Sequence, residues 1–216
     1  MRRVRTLTLV LALLGLVVLP RGGAAAPLGL QLTDDPDIAF FFVDVSYNAA
    51  GDVLSAMGFA LTLEHPAGVV SNIVGGTLDI AASIDGLGNP GAGTLSIIGT
   101  VPTLGFNSGV LLTGTLQDFG FLPAGGDPLE FLFNVVAGDA AGLYGGVGSS
   151  FGVILSGTLF PGTFGSDFDN SGSFGMGFGD VAPPIPEPGS EILFAAGLFL
   201  VIAYLGARGG HTVEAS

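Results

Sequence analysis

The sequence predicts an all-β body, arranged as an antiparallel sandwich or a jelly-roll-like fold, with a barrel as the other closed arrangement of such strands. Short segments alternate between apolar and polar residues with the period of two that a half-buried strand shows. Clusters of Gly, Asn, Asp and Pro separate these segments, and the chain holds 38 glycines. No amphipathic helix of three turns is predicted within the body. A signal-peptide helix and a C-terminal transmembrane helix are predicted to flank it.

Seven strands are predicted, four of them from the alternation. Thr77–Ile84 places four apolar side chains on one face, and Leu129–Val135 does the same with Leu129, Phe131, Phe133 and Val135. The sequence Asn48-Ala49-Ala50-Gly51-Asp52 predicts the turn between the first pair. Phenylalanines such as Phe40 to Phe42, Phe131 and Phe133 are predicted to be core. The other predicted strands are Ile38–Val45, Phe59–Leu63, Thr94–Val101, Val110–Leu116 and Val153–Leu159.

Residues 1–25 have the three parts of a signal peptide. Three arginines lie in Met1 to Arg5, an apolar run covers Leu7 to Leu19, and small residues follow Pro20. Cleavage by signal peptidase after Ala25 fits best, because cleavage after Ala26 would put Pro27 just past the cut. The alternative is an uncleaved anchor.

The C-terminal end is also tripartite. Residues 183–191 are proline-rich and predicted to be extended, 192–207 form an apolar stretch near the lower length limit for a membrane span, and 208–216 form a short polar tail. Arg208 is the cytoplasmic basic residue that the positive-inside rule requires. The acidic, glycine-rich body is therefore assigned to residues 26–182.

These residues carry a family resemblance. Pro186, Glu187, Pro188 and Gly189, followed by the apolar stretch and Arg208, resemble the PEP-CTERM sorting signal, a tail also labelled the ice-binding protein C-terminal domain. The resemblance implies an inner-membrane intermediate, processing by an exosortase, and delivery to the surface of an exopolysaccharide-producing, biofilm-forming bacterium. The alternative is an ordinary tail anchor. The body resembles only β-rich PEP-CTERM proteins of uncharacterised function.

Charge separates the ends from the body. The formal net charge is −13, and every arginine lies in a terminal segment: Arg2, Arg3, Arg5, Arg21 and Arg208. Between Pro27 and Pro186 there are fifteen Asp and Glu residues and no Lys or Arg. Such a body repels nucleic acid and attracts cations. The absence of cysteine excludes disulfides and thiolate metal sites.

One short motif is consistent with a metal site. Asp167, Asp169 and Ser171, with Gly172 at the sixth position, match the start of a calcium-binding loop. The twelfth position is Phe178 instead of the expected Glu, so an exposed acidic turn is the alternative. Calcium is the one cofactor that the sequence suggests. Asp34-Asp35-Pro36-Asp37 is interpreted as a solvated turn.

No catalytic residue is predicted. His65 is the body's only histidine and precedes a proline, which favours a loop position over a catalytic base. The first functional hypothesis is therefore a non-enzymatic surface or matrix protein, associated with exopolysaccharide through cations that bridge its carboxylates. The second is a secreted carbohydrate-active enzyme that uses a carboxylate pair. Ice or mineral binding would require a regular threonine face, and Thr94, Thr113, Thr115 and Thr158 are irregularly spaced.

Overall fold

The computed structural model describes residues 26–173 and 176–185, which form ten β-strands, two 3-10 turns and no α-helix. The 3-10 turns are Pro102–Leu104 and Ser171–Ser173. The strands are β1 (Asp37–Asn48), β2 (Val53–His65), β3 (Val69–Asn72), β4 (Val74–Ile84), β5 (Pro90–Val101), β6 (Phe106–Phe121), β7 (Leu129–Ala137), β8 (Ser150–Ser156), β9 (Phe168–Asp169) and β10 (Gly177–Ala182).

Eight of these strands close into an antiparallel barrel, in the order β1-β2-β4-β5-β6-β7-β8-β10 and back to β1. Most neighbours in the barrel are neighbours along the chain, and β10 closes the ring by pairing with both β8 and β1. The prediction of an all-β antiparallel body is confirmed. The sandwich or jelly-roll-like arrangement is replaced by a barrel, because β1 pairs along both of its edges and the sheet is not split in two.

The barrel interior is filled by apolar side chains. The faces predicted for β4 and β7 are confirmed, since Leu78, Ile80 and Ile84 of β4 and Phe131 and Phe133 of β7 are almost fully buried. Stacked rings continue from β7 to β8, where Phe151 lies 5.5 Å from Phe133 between ring centroids. The lumen is therefore a packed core.

The prediction that Phe40 to Phe42 are all core is wrong for two of the three. Phe40 is buried, but Phe41 and Phe42 are 46% and 64% exposed. Phe41 faces outward because it follows inward-facing Phe40 in the regular alternation of β1. Phe42 is exposed because of a bulge in β1, where the register with β2 and β10 shifts after Phe41 and Phe42 adopts a positive φ of 55°. The strand predicted at Val153–Leu159 lies three residues earlier in the chain, because β8 runs from Ser150 to Ser156 and Leu159 is exposed.

Residues 26–34, here called the N-terminal strap, cross the outside of the barrel over β6 to β8. Two glycines make room for this segment. A Cβ atom on Gly120 would lie 2.5 Å from the Leu28 nitrogen, and one on Gly152 would lie 2.6 Å from a Leu32 methyl group. Because the contact at Gly120 is to backbone, any larger residue there would displace the strap, whereas a larger residue at Gly152 would require the end of the Leu32 side chain to move.

The strap also pairs with the C-terminal end of the described chain. The Thr33 amide donates to the Pro183 carbonyl at 3.0 Å, and the Ile185 amide donates to the Gln31 carbonyl at 2.7 Å. Leu32 and Pro184 form an antiparallel bridge between these bonds. Residues 31–33 of the strap and residues 183–185 therefore run side by side in an antiparallel arrangement.

The predicted signal peptide, Pro186 to Gly189, the apolar stretch 192–207 and Arg208 lie outside the described residues. Within the described residues, no helix is long and apolar enough to cross a membrane.

Candidate functional site

A cavity of about 530 Å³ opens on the outer surface of the barrel beside the strap. Four acidic side chains line it: Asp34 of the strap, Asp37 of β1, Glu64 of β2 and Asp180 of β10. We call these four residues the carboxylate cluster. Leu32, Thr33 and Ile154 complete the lining.

Strand register places these carboxylates together. Asp37 is directly opposite Glu64 in the β1–β2 pair, and Asp180 is opposite Ala39 in the β1–β10 pair. Because side chains alternate along a strand, the residues at 37, 39 and 180 all face outward, on the opposite side of the sheet from buried Ile38. Directly opposed like charges destabilise a sheet, so this arrangement costs folding free energy when all the carboxyls are ionised.

The surroundings raise the pKa of Asp37 to about 7, mainly by burial and then by the negative charge of Asp180, while the Val181 amide acts in the opposite direction. Glu64 and Asp34 raise it further. Burial also raises the pKa of Asp180. Within the part of the chain that is described, Oδ1 of Asp37 is buried without a hydrogen-bond partner. Asp37 can therefore hold a proton near neutral pH.

We expect Asp37 to make the stability of the barrel depend on pH. The folded pKa lies above that of an unfolded aspartate, about 3.9, so its stabilising contribution is complete below pH 4 and is lost as pH rises through 7. Asp37→Asn should remove this loss and raise the free energy of unfolding at pH 8 by about 1 to 2 kcal/mol, a value reduced because Asp37 is only half-buried. Chemical denaturation at pH 4, 6 and 8 measures the difference.

The matched control is Asp79→Asn, which changes an exposed aspartate of β4. This control should lack the gain at pH 8. A stability difference between wild type and Asp37→Asn that stays constant from pH 4 to pH 8 would contradict the titration of Asp37 in this range.

The predicted calcium residues lie on the segment around β9. Oδ1 of Asp169 accepts hydrogen bonds from the Ser171 amide, at 3.1 Å, and from its hydroxyl. Oδ1 of Asp167 instead accepts from the Ala49 amide at 2.7 Å. The structure therefore brings Asp169 and Ser171 together and uses Asp167 to hold the β1–β2 turn. Calcium binding by these residues stays a prediction.

The residue between them, Asn170, was not singled out from the sequence. Its side chain is fully buried, and it closes the β1 bulge. Oδ1 accepts from the Val45 amide at 2.7 Å, and Nδ2 donates to the carbonyls of Val43 and Gly157 at 3.0 and 2.9 Å. No local pattern could reveal this role, because Val43 and Val45 lie more than 120 residues away along the chain.

The structure also places His65 and three of the threonines that the sequence analysis considered. His65 ends β2 next to Glu64. Thr158 is buried and donates its hydroxyl hydrogen to Asp127, whereas Thr94 and Thr115 are opposite each other in the β5–β6 pair. Within residues 26–173 and 176–185, no group of three or more His, Asp or Glu residues has the arrangement of a metal site.

Comparisons of the chain with protein-family models, with curated proteins and with solved structures give no match. Its function is therefore argued from its own residues.

Proposed function

We propose that the chain is an exported cell-surface or extracellular-matrix protein, sorted by an exosortase through its C-terminal tail. The barrel is non-enzymatic and associates with exopolysaccharide in a biofilm. The observation that carries the proposal is the C-terminal order of Pro186-Glu187-Pro188, apolar stretch and Arg208, combined with the N-terminal signal sequence. Signal peptidase and the exosortase are the processing partners.

The position of the tail supports this proposal. Ile185 makes a backbone hydrogen bond to Gln31, and Pro186 is the next residue. Every barrel strand ends before this point, because β10 ends at Ala182. A cut near the Pro-Glu-Pro triplet would therefore leave the core and the paired strands of the barrel complete.

The filled barrel supports a non-enzymatic body. Among the described residues, its interior is packed with apolar side chains, unlike the lumen of barrels that hold a ligand. The charge of the body is suited to cations that bridge its carboxylates to exopolysaccharide, because no Lys or Arg competes between Pro27 and Pro186.

Deletion of Pro186 to Ser216 tests the sorting function in a producing strain. We expect the truncated protein to be exported but absent from the cell surface, because the exosortase signal is missing. Surface immunolabelling, together with fractionation of cells and medium, measures the change. Deletion of only His211 to Ser216, which keeps Arg208, is the matched control and should sort normally. Unchanged surface location and processing of the longer deletion would contradict the proposal.

The carboxylate cluster favours a second function, glycoside hydrolysis. This reaction requires one protonated carboxyl group beside an ionised one. Asp37, whose pKa is raised to about 7, is suited to the role of the acid, and Glu64 and Asp180 line the same cavity as candidates for the second carboxyl group. Release of reducing sugar from a polysaccharide by the wild-type chain, and its loss in Asp37→Asn, would favour this second candidate over the first.

A further inference from the structure

Three phenylalanines form a row across the outer face of the barrel. Phe178 of β10 and Phe59 of β2 are both register partners of Phe41 of β1. Their exposed fractions are 48%, 54% and 46%, respectively. The rings of Phe41 and Phe178 have centroids 6.4 Å apart and planes inclined by only 22°. We call these three residues the phenylalanine row.

Large apolar side chains gathered on one exposed face mark a binding surface more often than single exposed ones do. The row is not a site for an added peptide strand, because β1, β2 and β10 are each paired along both edges. The row lies on the outer, side-chain-bearing face of a closed sheet. A ligand that binds there must pack against the faces of aromatic rings. Sugar rings have apolar faces that can make this contact.

Charge selects among the glycans. The row and the carboxylate cluster share one face, because Asp180 is two residues from Phe178 on β10 and Asp37 is four residues from Phe41 on β1. At about 3.3 Å per residue, these separations along the strands are about 7 and 13 Å. A ligand that is bound to the phenylalanine row and extends about 7 to 13 Å along the strands therefore reaches the carboxylate cluster. Since the body carries no Lys or Arg, this face repels an anionic glycan and attracts a cationic one.

We infer that the phenylalanine row and the adjoining carboxylate cluster together bind a glycan that carries free amino groups, of the glucosamine type. The rings of the row pack against the sugar faces, and a ring also attracts a nearby ammonium group. The carboxylates of the cluster pair with further ammonium groups and accept hydrogen bonds from sugar hydroxyls. This inference rests on the proposed function for the presence of a matrix polysaccharide.

The test measures binding of the full-length chain, in detergent, to a fully deacetylated glucosamine oligomer by calorimetric titration at pH 6. The double variant Phe41→Leu/Phe178→Leu keeps the surface apolar but removes two rings, and it should weaken binding about tenfold. Asp180→Asn should weaken binding as well and reduce its sensitivity to salt. Val147→Ala, at an exposed residue outside the row and the cluster, is the control and should bind as the wild type does.

Two comparison ligands decide the outcome. The N-acetylated oligomer, which lacks the ammonium groups, and polylysine, which lacks the sugar rings, should both bind at least about tenfold more weakly. Equal affinity for polylysine, unaffected by the leucine substitutions, would overturn the inference, because charge alone would then explain binding. Equal affinity for the acetylated oligomer would also overturn it. Circular dichroism of each variant confirms that the barrel is folded.

The result of this binding assay is independent of the result of the sorting experiment. Purified protein binds or does not bind the oligomer whatever its route to the surface. A mislocalised deletion variant together with no oligomer binding would therefore leave the sorting proposal in place and remove only the glycan.

Discussion

Replacement of Asn170 with alanine should lower the free energy of unfolding by about 3 kcal/mol, because it leaves buried backbone groups without partners. The Asn170 side-chain amide accepts a hydrogen bond from the Val45 N–H group and donates to the carbonyls of Val43 and Gly157, in a site that excludes solvent. Each unsatisfied buried group costs about 1 to 3 kcal/mol. Not all of this cost appears, since water can enter the space that the side chain leaves.

For a chain of this size, such a loss corresponds to a fall of about 10 °C in the midpoint of thermal unfolding. Asn170→Asp is the informative second variant. It keeps the shape and the Oδ1 acceptor but points a second oxygen at two carbonyls, so it should be no more stable than the alanine variant. Asn107→Ala, at an exposed asparagine, is the control. A loss below about 1 kcal/mol for Asn170→Ala would show that the bulge closes without its amide.

Replacement of Glu130 with alanine should detach the N-terminal strap. The Glu130 side chain is only 5% exposed, and its two carboxylate oxygens accept hydrogen bonds from the Gly29 and Leu30 amides, each at 3.0 Å. Bonds to a charged acceptor contribute about 1.5 to 3 kcal/mol each, and some of this is recovered when the freed amides meet water. We expect a loss of about 2 to 3 kcal/mol in the free energy that holds the strap.

Hydrogen exchange measures this change where it occurs. The amides of Gly29, Leu30 and Thr33 should exchange faster by about a factor of 30 or more, whereas the inner strands of the barrel keep their protection. Glu130→Gln retains one carbonyl acceptor and should show an intermediate effect. Asp44→Asn, at an exposed acid of β1, is the control. Equal loss of protection in the strap and in β7 would mean that Glu130 supports the whole barrel instead.

Sequence reasoning succeeded where a residue's position follows from its near neighbours. The alternation in β4 and β7 correctly identified their inward faces, because the period of a strand is local. It failed at Phe41, which the same alternation turns outward when Phe40 is buried, and at Phe42, which lies in a bulge of β1. The same local reasoning could not distinguish a barrel from two packed sheets, since that depends on whether β10 reaches β1.

The carboxylate cluster could not be predicted from neighbouring residues in the sequence, for a different reason. Asp37 was interpreted as part of a solvated turn, yet it is half-buried, and Glu64 and Asp180 approach it from distant parts of the chain. Only the registers of two strand pairs bring them together.

The pairing of strap and tail has a mechanical consequence. A body tethered through its C-terminal tail, as proposed, would carry the drag of flowing liquid as tension at Ile185. This tension would first load the bonds of Thr33 and Ile185 to the opposite segment, and then β10, which is bonded on both sides. Force directed along β10 must shear its bonds to β8 and β1 together, because the strand lies between them in the closed sheet. The hydrogen bonds between the strap and residues 183–185 would therefore break before the barrel unfolds.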